Sequence, residues 1–428
     1  MAPPRQPQAR TAFLAVLFAA GATLLATPPV RAATVTLTFA NWADAEGATR
    51  PGIEAAIAAF EKTHPDIRIK SEAMSFSEIA RQLVLRVRAG NAPDVAELAG
   101  NDTILLALTG HLEPLDGFVT PALKAELKPS ALTGLDVGGK LIAFPWTQAP
   151  AALWYNKAIM KKAGLDSSQP PATIAALMAD MAAIKKTQPD VIPLGIDTTN
   201  RPFGMISNWS WMKTFGADPV ADGGKGAEAA PMIAYLTWMR TLDHDGYIDP
   251  GRKIGEFRPL AAQDKVAFLW DQVLVQGVIQ SVNHMSDAAF YAHWGVAPLP
   301  KGASGKSFSF DGGHQLVMFA SSAHKKAAWE FIRFLATSPE AIANYTLTYE
   351  SSLTPLQKAP TPALAKKLDT PVFNAFADTI MPTVVMPPYG PRFNAESSAV
   401  MAGVQQAVTG NEPIAAIAKS IAENIARP

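Results

Sequence analysis

Between Val35 and Asp102 short β-rich runs alternate with amphipathic helical segments, and this alternation restricts the possible folds more than any other feature of the chain. The run VTLTF, Val35 to Phe39, predicts a strand that ends at Asn41-Trp42-Ala43-Asp44. Thr49 and Pro51 then start a helix, Ile53, Ile57 and Phe60 give it one apolar face, and Pro65 stops it. Asp66 to Glu72 reads as a second strand. Ser75-Phe76-Ser77 reads as the cap of a second helix carrying Ile79, Leu83 and Val87, and Pro93 to Leu98 as a third strand running into Gly100-Asn101-Asp102. Strands and helices at this spacing form βαβ units, so the expected class is α/β, with mainly parallel sheets flanked by helices.

A chain of 428 residues, 48% of them hydrophobic, has enough apolar material for two ordinary cores. Its 37 basic and 37 acidic residues balance, and no basic stripe follows a phosphate backbone, so nucleic acid is excluded as a partner. The first 32 residues read as a signal peptide, with Arg5 and Arg10 ahead of an apolar run from Ala12 to Ala26 and cleavage expected after Ala32. That run is shorter than the roughly 20 residues a membrane span needs. Its removal takes away three arginines and no acid, leaving 37 − 3 = 34 basic against 37 acidic groups. There is no cysteine, so disulfides and lipidation at an N-terminal cysteine are both ruled out.

Further along, Trp154 to Leu165 reads WYNKAIMKKAGL after an apolar strand, and WGVAPLP occupies Trp294 to Pro300. FDGGHQLVMF, Phe310 to Phe319, precedes the helical run HKKAAWEFIRFLATSPE. With the βαβ start, these stretches resemble the extracellular solute-binding proteins of ATP-binding-cassette importers, in the sugar-binding family that includes maltose-binding protein. The resemblance covers nearly the whole chain after the leader. It implies two lobes joined by three crossings: residues 33–149 with 298–337, and 150–297 with 338–428. The crossings are expected near 147–152, after WGVAPLP, and near 337–339. The resemblance also implies hinge closure on a ligand and transfer to membrane permease subunits, by a periplasmic monomer that is not an enzyme.

Polar and aromatic groups gather past the ends of predicted strands, where open α/β sheets bind ligands. Sugar rings pack their C–H faces on flat aromatic surfaces and present hydroxyls to donors and acceptors at the rim. Nine tryptophans make such a site plausible, and Trp42, Trp146, Trp211 and Trp270 are the candidates, with Phe76 and Tyr155. Asp44, Asn101, Asp102 and Asp271 are the candidate hydroxyl partners, each equally readable as a solvated loop residue or helix cap. Gly313, in the Gly312-Gly313 pair, either lets backbone approach the ligand or permits a bulge. Tyr389, Arg392 and Phe393 lie in the proline-rich PPYGPRF stretch, which could close over a ligand.

No GxSxG, HExxH or GxxxxGK[ST] pattern is present, and the seven histidines lack metal-ligand spacing, so no cofactor or metal is expected. The expected function is capture of a mono- or oligosaccharide. A polyol phosphate such as glycerol 3-phosphate is the alternative, with Arg201, Arg258 and Arg392 as its positive groups. A secreted glycosidase, which needs two carboxylates at a defined separation, is the more distant one.

Overall fold

The first sheet grows outward from β1 (Val35–Asn41), whose alternating side chains bury Leu37 and Phe39. The computed structural model describes residues 1, 2, 4, 34–348 and 351–427. The leader's apolar run and its cleavage position lie outside those residues. Helix α1 (Arg50–Thr63) starts with proline in its first turn and buries Ile53, Ala56 and Phe60. It leads to β2 (Ile67–Ala73), α2 (Ile79–Arg88), β3 (Val95–Ala99) and α3 (Gly100–Leu108). Helix α2 begins after Glu78 with no side-chain cap, so the expected serine cap does not form. Both β2 and β3 pair parallel to β1, as βαβ connections require.

The chain next forms the short β4 (Phe144–Pro145) and crosses to a second sheet through β5 (Ala151–Asn156). There β6 (Ile192–Gly195), α4 (Pro202–Phe215), α5 (Ala230–His244), β7 (Val266–Gln272), α6 (Val275–Asn283) and β8 (Trp294–Ala297) follow. The chain then returns to the first sheet as β9 (His314–Met318), followed by α7 (Lys325–Thr337). Helices α8 (Phe393–Thr409) and α9 (Ile414–Ala426) close the second body, with Gly403 making room for Ile421 between them. The strand orders are β2-β1-β3-β9-β4 and β8-β5-β7-β6.

Each sheet contains one strand running against all the others. In the first it is β9, antiparallel to β3 and β4. In the second it is β5, antiparallel to β7 and β8, while β6 and β7 are parallel. Both are arrivals from the opposite body, without the helical crossover that keeps successive strands parallel. The sheets are therefore mixed, although most strands in each share one direction.

Burial follows the strand period. Along β5, Leu153 and Tyr155 enter one core and Ala152 and Trp154 another; along β7, Phe268 and Trp270 enter the first and Leu269 the second. The second sheet is thus covered on both faces. The first body has its own core around Phe39, Phe144 and Phe331.

Three segments meet where the bodies join. Gln148 and Leu353 exchange backbone hydrogen bonds of 2.9 Å, and Ala151 N donates to Phe310 O at 3.0 Å. The third crossing departs from expectation. Ile342, Tyr345, Leu356 and Leu364 pack in the first core, and Val372 is the next to pack in the second body. Tyr345 is held there by stacking on Trp146, with centroids 4.5 Å apart. The boundary expected after residue 337 therefore moves some 30 residues on.

Candidate functional site

A cleft of about 1410 Å³ receives side chains from both bodies. The first body contributes the loop after β1, helix α2 and the start of α3; the second contributes the start of α4, the 253–258 segment, α6 and the 389–394 stretch.

Its aromatic part is a run of edge-to-face contacts. Trp42 lies 4.8 Å from the His314 ring and 5.2 Å from Phe76, and Phe76 meets Phe203 of the second body at 6.1 Å. Phe203 continues to Phe310 at 5.8 Å and carries the Arg201 guanidinium 5.1 Å above its ring. The buried Glu97 carboxylate fixes the first-body end. It accepts from the Trp42 and Ala43 amides at 3.0 and 3.1 Å and pairs with His314 Nδ1 at 2.8 Å. One residue of β3 thereby positions both rings.

The polar part surrounds the start of α3. Asn101 is buried, its Nδ2 donates to Asn394 Oδ1 at 3.4 Å, and its Oδ1 accepts no hydrogen bond from the described residues. Burial pushes the neighbouring Asp102 carboxyl up to about 6. Tyr389 packs against Gly100, where a Cβ would stand 2.7 Å from its ring, and burial raises its hydroxyl above the ordinary tyrosine range. Asp311 accepts from the Ala149 and Gly313 amides at 2.7 and 2.8 Å, yet burial outweighs those bonds and leaves its carboxyl raised. Arg258 reaches the cleft from a two-pronged pair with Asp271, at 2.7 and 3.0 Å.

Of the twelve sequence candidates, Trp42, Phe76, Asn101 and Asp102 line the cleft together. The others lie elsewhere, each for a local reason. Trp146 is fully buried against Tyr345. Trp211, inside α4, stacks on Trp238 at 5.0 Å and meets Trp270 at 5.7 Å. Trp270 is a fully buried interior residue of β7, and its Nε1 donates to Ser207 O at 2.9 Å. Tyr155 covers Gly295 on the adjacent strand β8. Asp44 is tied to Ser71 at 2.7 Å and to Arg50. Asp271 is committed to Arg258. Gly313 presses on the Thr147 carbonyl, leaving no space for a side chain, while Gly312 faces the cleft. Arg392 donates to the carbonyls of Ile425 and Arg427, capping α9.

Sequence reasoning missed Glu46, Phe203 and His314, all of which line the cleft. A signal existed for His314, which directly follows the glycine pair. None existed for Phe203, in the first turn of α4, whose partner Phe76 is distant in sequence.

Residues 46–342 match the model of a family described as bacterial extracellular solute-binding protein. The maltotriose-binding protein of Pyrococcus abyssi is 26% identical over 356 residues, covering 80% of this chain and 70% of the relative. The sn-glycerol-3-phosphate-binding periplasmic protein UgpB of Yersinia pseudotuberculosis is 22% identical over 329 residues, 71% of each. An ABC transporter solute-binding protein from Thermotoga lettingae, solved with alpha-D-tagatose, aligns at a TM-score of 0.79 and 21% identity, covering 92% of this chain and 99% of that one. The last is a likeness of fold, and the fold is the two-lobe one.

Proposed function

Because the chain belongs to the bacterial extracellular solute-binding proteins, we propose that it captures a neutral mono- or oligosaccharide between its two bodies and delivers it to the permease subunits of an ATP-binding-cassette importer. The observation that carries this reading is the cleft itself, where Phe76, packed on Trp42, meets Phe203 and Asn101 meets Asn394 across the two bodies. Flat rings suit the C–H faces of a sugar. The open acceptor on Asn101 and the carboxyl of Asp102 suit its hydroxyls.

A ligand touching both bodies favours the closed arrangement by its extra contacts there, so closure is a population shift. Micromolar affinity corresponds to about −8 kcal/mol, within reach of one or two packed rings and several hydrogen bonds. The protein acts in the periplasm after its leader is removed, as a freely diffusing monomer that performs no chemistry.

A second reading has its own support. Arg201, Arg258 and Lys253 all line the cleft, as a phosphorylated polyol would need, and the Yersinia relative is named for glycerol 3-phosphate. Arg201 and Arg258 are already paired with Asp197 and Asp271, which weakens their pull on an added anion. A thermal-shift screen of neutral sugars against phosphorylated polyols separates the two, since a bound ligand raises the unfolding midpoint with its occupancy. Shifts confined to phosphates would overturn the neutral-sugar reading. Release of reducing ends from an oligosaccharide would instead favour the glycosidase.

A further inference from the structure

We propose that the cleft takes a sugar bearing an apolar substituent, a glycoside with a short alkyl or aryl aglycone, and that the substituent lies between α2 and α6. This rests on the sugar reading above and narrows its substrate class.

The wall built by α2, α3 and α6 differs from the rest of the cleft. It presents Val84, Leu85 and Leu105 from one body and Leu274, Val278 and Val282 from the other. Attachment of the helices accounts for Val84, which packs against the first core, but not for the others. Helix α2 is anchored in the core by Ile79 and Leu83, and α6 by Val275 and Ile279. A helix face that meets only water is ordinarily polar. Here Leu85 is 52% exposed and Val282 55% exposed, and both border the same cavity. A single exposed aliphatic residue is unremarkable, but apolar side chains from two bodies around one cavity form a surface that favours an apolar occupant.

Sugar hydroxyls gain nothing from these aliphatic side chains, although Arg81 and Arg88 of α2 and Ser281 of α6 also border the cleft. An alkyl or aryl group gains by leaving water. The cleft has room for both parts, since its 1410 Å³ exceeds the roughly 300–1,000 Å³ of ordinary ligand pockets. The sugar occupies the part of the cleft with Trp42, Phe76, Asn101 and Asp102, and its substituent points along the aliphatic wall.

The test is calorimetric titration of the mature chain with the methyl and hexyl glycosides of glucose, galactose, mannose and maltose, all below their micellar concentrations. For each sugar that binds, the hexyl compound is expected to bind at least about tenfold tighter than the methyl compound. In the double variant Leu85→Ser/Val282→Ser that ratio should fall below about threefold. Equal affinities of the two compounds would overturn the proposal and leave the sugar reading standing, as would an advantage that survives in the variant. If no glycoside binds and thermal shifts appear with phosphorylated polyols alone, the sugar reading fails and this inference falls with it.

Discussion

Trp42 and Trp270 look alike in the sequence, each an aromatic residue beside polar groups near the end of a β-rich run. In the folded chain they do different work. Trp42 is the first residue beyond β1, so it leaves the sheet and turns to the cleft between His314 and Phe76. Trp270 is two residues short of the end of β7, so the strand's period assigns it to a face, between Trp211 and Phe310. A ring past the last paired residue can meet a ligand, whereas one inside the strand meets the layer packed on the sheet.

The largest effect expected from this contrast is on folding. Trp270→Ala should cost about 3–5 kcal/mol in urea unfolding, the usual penalty for emptying a fully buried aromatic position. A variant with unchanged stability and lost affinity would place Trp270 in the cleft and break the comparison. Phe203→Ala should do the reverse, weakening binding of the sugar found in the thermal screen by about tenfold, with less than half the stability loss of Trp270→Ala. Titration and unfolding measured on the same preparation would check both.

Smaller effects sharpen the cleft side. Gly100→Ala sets a methyl group against the Tyr389 ring, so binding should weaken by about threefold, and the loss should vanish in a Tyr389→Ala background. The smallest effect concerns pH. Asp102 holds its proton up to about 6 in the folded chain, above the unfolded value of 3.8. Its contribution to stability is therefore fully present below the unfolded value and lost as pH rises through about 6. Asp102→Asn should flatten the stability profile across that window, and an unchanged slope in unfolding scans would refute the assignment.

The βαβ beginning was legible because its signals are local: Pro51 and Pro65 bound α1, and the period of Leu37 and Phe39 marks β1. Trp42, Phe76, Asn101 and Asp102 were legible for the same reason, all lying past predicted element ends. Trp211 was misread because nothing local reveals that Trp238 and Trp270 converge on it. Asp271 was misread because its partner Arg258 precedes β7, and no spacing distinguishes a carboxylate that meets a ligand from one that holds an arginine. The third crossing was misplaced because Thr337-Ser338-Pro339 does end α7, yet Tyr345 beyond it still stacks on Trp146.

The contact of Gly313 with the Thr147 carbonyl has a mechanical consequence. The two connecting segments are closer there than a single methyl group allows, and the Asp311 carboxylate, accepting from the Ala149 and Gly313 amides, ties them side by side. Cores on either side can drift in sequence and repack, but a wedge of one carbon at that point would splay the whole joint.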